Sequence, residues 1–186
     1  MQQGRGVQRV LCVMAAVLTI TTAHAATFRL RSGDLKGGTL ARANEYRGSG
    51  CSGRNESPAL SWSGAPRGTR SFVLTVYDEN AAHLTQSGWW HWVLVNIPAS
   101  THHLARNAGH GSGPDGSQEV LTDFGVPGYG GPCPPPGDGP HHYLFTLYAL
   151  KVAHLPVSAT TTGAAVTYMA RHAALGSATL VASFSR

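Results

Sequence analysis

Gly88-Trp89-Trp90-His91-Trp92-Val93-Leu94-Val95-Asn96-Ile97-Pro98 decides how this chain is read. The stretch is aromatic and β-branched with no helix breaker before Pro98, so it reads as a strand. On the two-residue period of a strand, His91, Val93, Val95 and Ile97 share one face, and Trp90, Trp92, Leu94 and Asn96 share the other. Both faces are apolar enough to be buried. A histidine that opens such a strand needs a partner, because an unsatisfied imidazole nitrogen in apolar surroundings is costly.

Two further stretches have the same character. Ser71 to Asp78 sets Phe72, Leu74, Val76 and Asp78 on one face and Val73, Thr75 and Tyr77 on the other. His141 to Leu150 sets His141, Tyr143, Phe145, Leu147 and Ala149 together, against the more polar His142, Thr146 and Tyr148. Ala59 to Ser63 alternates as a short strand, Ala178 to Phe184 closes the chain as another, and residues 27–46 suit short strands and turns. Loops are expected over residues 48–58, 79–88 and 99–119. Val166, Met169, Ala170 and Ala173 recur at helical spacing and predict one short helix. Thr160 to Thr162 are its cap candidates, Arg171 and His172 suit its last turn, and Gly176 suits its stop.

The start of the chain has the pattern of a secretory leader over residues 1–25. Arg5 and Arg9 lead an apolar run, Val10 to Ile20, too short to span a bilayer, and Ala23-His24-Ala25 forms a small-x-small cleavage site. The mature chain, residues 26–186, is then a single domain, periplasmic or secreted, with no transmembrane segment. Removing the leader leaves 12 Lys and Arg against nine Asp and Glu, a net +3. The basic residues are scattered and no basic run stands out, which argues against nucleic-acid binding. Cys12 departs with the leader, leaving Cys51 and Cys133 as an even pair in Gly- and Pro-rich segments of an exported protein. One disulfide is the simplest account; two unrelated buried thiols are the alternative.

Three strands therefore carry a polar residue at one end of an apolar face: Asp78 at a finish, His91 and His141 at two starts. Asp78 and His91 meet if their strands are antiparallel, and His141 joins them if its strand runs parallel to that of His91. A carboxylate beside two imidazoles favours a charged imidazole, whose N–H groups would face an anion. A metal ranks lower, since no close pair such as His-x-Asp or His-x-x-x-His is present, and no cofactor is indicated. Hydrolysis is remote, because the chain has no Gly-x-Ser-x-Gly elbow. Asp123-Phe124-Gly125 resembles a kinase magnesium tripeptide without the rest of that machinery, and the glycosylation pattern Asn55-Glu56-Ser57 is too short to carry weight. The segment Gly125 to Pro140, dense in Gly and Pro, is expected to form a rigid rim.

Ser57-Pro-Ala-Leu-Ser-Trp62, the Ser71 to Asp78 strand, Gly88-Trp-Trp-His-Trp92, Asn96-Ile-Pro98, Thr122-Asp-Phe-Gly125 and Gly128-Tyr-Gly-Gly-Pro-Cys-Pro-Pro135 followed by His141-His-Tyr143 together resemble the phosphatidylethanolamine-binding protein family, also called Raf-kinase-inhibitor-like. The resemblance is to its bacterial YbhB/YbcL-type branch and spans roughly Phe28 to Phe184. It implies a mainly β fold: a β-sandwich on a large antiparallel sheet, with irregular Gly/Pro loops and the short C-terminal helix. It also implies a small pocket for phosphate-type anions, a phospholipid headgroup or a nucleotide-like ligand, at Asp78, His91, His141 and Tyr143, with Pro132, Gly130 and Gly131 as its rim. Members are binding or regulatory proteins, so a non-enzymatic role is expected; the alternative is a module that inhibits a kinase or protease. The family's usual Asp-Pro-Asp-Ala-Pro is here Asp78-Glu79-Asn80-Ala81-Ala82, followed by a longer loop. Loss of both prolines is expected to loosen one pocket wall, and Asn80 removes a carboxylate.

Overall fold

The computed structural model describes residues 27–186, so the leader expected over residues 1–25 lies outside the described residues. Along the chain run β1 (Arg29–Arg31), β2 (Arg47–Gly48), β3 (Cys51–Ser52), β4 (Leu60–Ser63), β5 (Ser71–Asp78), α1 (Ala82–Thr85), β6 (Trp89–Pro98), β7 (His103–Leu104), β8 (Gln118–Glu119), β9 (His141–Leu150), α2 (Gly163–Ala173) and β10 (Ala174–Phe184). The main sheet has the order β10-β9-β5-β6-β8, and a smaller one the order β1-β4-β7. Strand β5 is antiparallel to both β6 and β9, so those two run in the same direction on either side of it.

Two apolar layers hold this arrangement. Phe72, Leu74, Val76, Trp92, Leu94, Ile97, Phe145 and Leu147 pack against Leu30, Leu60, Trp62 and Leu104 of the small sheet. On the opposite face Val73, Val93, Val95 and Leu150 pack against Val166 and Ala170 of α2, with Trp90 at the edge of the cluster. The main sheet is thus buried on both sides, which is why its central strands are nearly continuous runs of apolar residues. Among the described residues no helix is long and apolar enough to cross a membrane.

The expected alternation of β6 is corrected at two points. Its pairing with β5 shifts between Val76 and Tyr77, where β6 advances from Trp92 to Trp90, and again between Phe72 and Leu74, where it advances from Ile97 to Leu94. Each shift inserts one extra residue into β6, a β-bulge. At the first, His91 joins Trp92 opposite Val76 instead of joining Val93 and Val95 on the α2 side. At the second, Asn96 adopts φ of 58° and returns Ile97 to the Trp92 face. The Asn96 side chain stabilises its bulge by accepting from Leu155 N at 2.8 Å and donating to Leu155 O at 3.3 Å. Asparagine tolerates a positive φ better than most side chains, which accounts for its use here.

Smaller departures lie in the loops. Residues 48–58 join a two-residue hairpin, residues 79–88 contain the single turn of α1, and residues 99–119 contain β7 and β8. Helix α2 has Thr162 as its N-cap, accepting from Ala165 N, and Arg171 and His172 in its last turn. Gly176 does not stop it. Lys151 N donates to Ala173 O at 2.9 Å, and the chain passes directly into β10, where Gly176 sits at a register shift.

Candidate functional site

Asp78 ends β5 at the edge where β6 and β9 begin. Its Oδ1 accepts from Asn80 N at 2.9 Å and Ala81 N at 3.3 Å, fixing the carboxylate on the turn that follows it. Its Oδ2 lies 2.7 Å from His141 Nδ1, and both side chains are almost wholly buried. His141 Nε2 lies 3.1 Å from Asp138 Oδ2 in the Gly/Pro loop. Both ring nitrogens therefore face carboxylates. Burial lowers the His141 pKa, but the hydrogen bonds and charges of Asp78 and Asp138 outweigh it, and the net shift is upward. The two acids thus favour the protonated form of His141.

His91 has the opposite character. Its Nδ1 is 2.7 Å from Gly130 O, which only accepts, so this nitrogen carries the proton and Nε2 carries the lone pair. Burial pulls its pKa down to about 4, against the upward pull of the Gly130 carbonyl and the Asp78 charge. The ring packs edge-on against Tyr143 at 5.0 Å and Phe124 at 5.4 Å. Tyr143 lies beneath it, fully buried, and burial with the nearby Asp78 charge pushes its phenol pKa up.

These groups close one end of a cavity of about 280 Å³. Asp78, His91 and His141 form its polar end, and Tyr46, Trp89, Phe124, Cys133, Pro134 and Pro135 form apolar walls. Phe124 organises the rings, lying 4.6 Å from Tyr46 and 5.5 Å from Trp89 between centroids. Among the described residues no lysine or arginine lines the cavity, and no group of three His, Cys, Asp or Glu side chains is arranged to hold a metal ion.

The structure therefore brings Asp78, His91 and His141 together, with Tyr143 as the floor beneath them rather than a wall. The rim is displaced along the chain: Gly130, Gly131 and Pro132 lie buried behind it, and Cys133, Pro134 and Pro135 form the wall. Gly130 N donates to His91 O, Pro132 O accepts from Tyr46 N, and Gly131 N donates to Asn55 Oδ1 at 2.7 Å. Asn55, met in the sequence as part of a glycosylation pattern, thus braces the loop. A Cβ on Gly131 would lie 1.9 Å from Asn44 O, a backbone atom that cannot yield. Gly131→Ala is accordingly expected to cost about 3 kcal/mol or more in urea unfolding; an unchanged midpoint would show that these segments are not in contact.

Several site residues gave little sign in the sequence. Tyr46 and Phe124 come from loops, and Asp138 lies in the segment read only as rim. The Asp123-Phe124-Gly125 tripeptide is structural: Asp123 Oδ2 accepts from Trp90 N at 2.7 Å, and Phe124 fills the wall. Asn80 turns toward His142, accepting from its backbone N at 2.7 Å and lying 3.1 Å from its Nδ1. The longer loop folds into α1 and contributes Ala81 and Thr85 to the cavity mouth. In place of prolines the wall is tied by Thr85 Oγ1, whose single O–H lies within reach of both Gly88 O at 2.8 Å and Ala81 O at 3.0 Å. Cys51 and Cys133 are joined in a disulfide.

Comparison with known proteins identifies the family to which this fold belongs. Residues 33–185 match the profile of the family described as phosphatidylethanolamine-binding protein. The chain is 47% identical over 163 residues to the UPF0098 protein YbcL of Escherichia coli strain K12, covering 84% of this chain and 88% of that one. It is 43% identical over 160 residues to the UPF0098 protein YbhB of the same organism, covering 84% and 99%. The crystal structure of E. coli YbcL, described as a new member of the mammalian PEBP family, superposes with a TM-score of 0.82 at 44% identity, covering 87% of this chain and 99% of that one. The chain belongs to the phosphatidylethanolamine-binding protein family.

Proposed function

We propose that this is an exported, non-enzymatic binding protein whose pocket takes a small phosphate-bearing group, and that a zwitterionic phospholipid headgroup such as phosphoethanolamine suits it better than a bare dianion. The observation that carries this reading is the pairing of a polar end at Asp78, His91 and His141 with an aromatic cavity. Among the described residues two carboxylates flank one imidazole at that end, and burial lowers the pKa of His91 beside them. Such a site repels a doubly charged ligand, while a phosphodiester oxygen can bond to His91 and an ammonium group can lie against a carboxylate or a ring face. Export is supported by the leader pattern of residues 1–25 and by the Cys51 to Cys133 disulfide.

NMR titration with glycerophosphoethanolamine, whose phosphodiester keeps its charge across this range, tests the reading. The His91 ring signals are expected to move with ligand; signals that stay fixed at saturating concentrations would refute it. The pH dependence has a definite sign. A bound anion favours protonated His91, so binding takes up a proton, and affinity is expected to rise as pH falls from 7 toward 5. Without ligand the same group acts the other way: its folded pKa of about 4 lies below the ordinary 6.5, so its contribution to stability is present above pH 6.5 and is lost as pH falls toward 4. Isothermal titration at several pH values, with proton uptake read from buffers of different ionisation heat, measures the first effect.

A further inference from the structure

We infer that Cys133 is a site of covalent modification by a small thiol: the thiolate attacks its Sγ, the bond to Cys51 breaks, and the thiol stays on Cys133 as a mixed disulfide in the wall of the cavity. The inference is independent of what the cavity binds. It names one sulfur of the bridge as the electrophile and the other as the leaving group.

The two sulfurs have different surroundings. Arg186 Nη1 lies 2.8 Å from Cys51 Sγ and 3.9 Å from Cys133 Sγ. It is held there by Gly50 O, to which it donates at 2.7 Å. On the other side the carbonyl oxygens of Gly48 and Ser49 lie 3.9 and 3.7 Å from Cys133 Sγ. A disulfide sulfur has no hydrogen to offer them, so both carbonyls direct partial negative charge at Cys133. A guanidinium favours a thiolate, and carbonyl oxygens oppose one. The negative charge released on opening is therefore better placed on Cys51 than on Cys133.

Access points the same way. Cys51 is 8% exposed and does not line the cavity, whereas Cys133 is half-buried and lines it beside Ser49 and Pro134. The step balances with the thiol as its only reactant. The thiol first loses its proton to solvent, the thiolate electron pair forms the new S–S bond to Cys133, and the electrons of the old bond leave with Cys51 as a thiolate beside Arg186. A lower leaving-group pKa speeds such exchange, so Arg186 accelerates opening in this one direction. Once the bridge is open, the Gly/Pro wall is no longer joined to the hairpin of β2 and β3, and the attached thiol takes up space in the cavity.

The test treats the folded, oxidised protein with 2-mercaptoethanol at pH 8, quenches early time points in acid, labels free thiols with N-ethylmaleimide and maps both sites by peptide mass. The mercaptoethanol adduct is expected on Cys133 and the maleimide on Cys51, in about three- to tenfold excess over the reverse pattern. An adduct on Cys51, an even split, or a bridge that the thiol leaves intact overturns the assignment of Cys133. Arg186→Gln removes the cation and Arg186→Lys keeps it, so the Gln variant is expected to open about three- to tenfold more slowly than the Lys variant. Equal rates, or a faster Gln variant, overturn the role given to Arg186. The mapping of wild type needs no substitution, so it decides the site even where a change at Arg186 unsettles the hairpin.

Discussion

Asp78→Ala is expected to destabilise the protein by about 3–5 kcal/mol and to abolish ligand binding. The magnitude follows from what the carboxylate leaves behind. His141 is buried with its pKa raised, and without Asp78 its Nδ1–H loses the buried carboxylate that lies 2.7 Å away. Breaking a buried pair costs more than the pair contributes, because an uncompensated charge remains. The turn after β5 also loses the acceptor shared by Asn80 N and Ala81 N, and Ala81 stands at the cavity mouth. Urea unfolding checks the first effect and titration the second. Asp78→Asn retains an acceptor for the turn, so it should recover part of the stability while leaving His141 with a lower pKa. The pH dependence separates charge from packing: the folded pKa of His141 is raised, so the stability drawn from its pairing is fully present below pH 6.5 and is lost as pH rises through the folded value. The difference between wild type and variant should shrink at high pH. A difference independent of pH would assign the effect to the turn alone.

Reduction of the Cys51 to Cys133 bridge, or its replacement by two serines, is expected to cost about 4.5 kcal/mol in the chain-entropy account of a loop closed over 82 residues. The consequence is also local. Cys133 is itself a wall of the cavity, Ser49 lies on the hairpin side of the bridge, and Pro134 and Pro135 follow on the other. The guanidinium of Arg186 reinforces the join, donating to Gly50 O at 2.7 Å and lying 2.8 Å from Cys51 Sγ. Opening the bridge releases the loop that carries Asp138, so ligand affinity should change together with stability. Denaturant unfolding with and without a dithiol, at matched pH, measures the cost; coincident transitions would show that the join is held by packing alone.

The bulge at His91 explains why the site is only partly legible in the sequence. Strict alternation assigns His91 to the face of Val93 and Val95, which packs on α2, away from Asp78 and His141. The three residues meet because one extra residue in β6 reverses that assignment. Their convergence as a group was thus expected from position at strand ends, while the facing of His91 was expected wrongly. The wall rings of Tyr46 and Phe124 come from loops whose composition specifies turns and not direction.

From its residues alone this chain determines three long strands, a capped helix and a family motif set. Each of these is local: periodicity, a cap or a contiguous pattern is written within a few residues. Tertiary structure alone decided that the pKa of one imidazole is lowered and that of the other raised. His91 and His141 differ because one ring nitrogen meets a backbone carbonyl in an apolar setting and the other ring lies between two acids, one of them 63 residues away. Protonation depends on what surrounds a group in space, and strand register, bulges and loop paths set those surroundings only when the whole chain is folded.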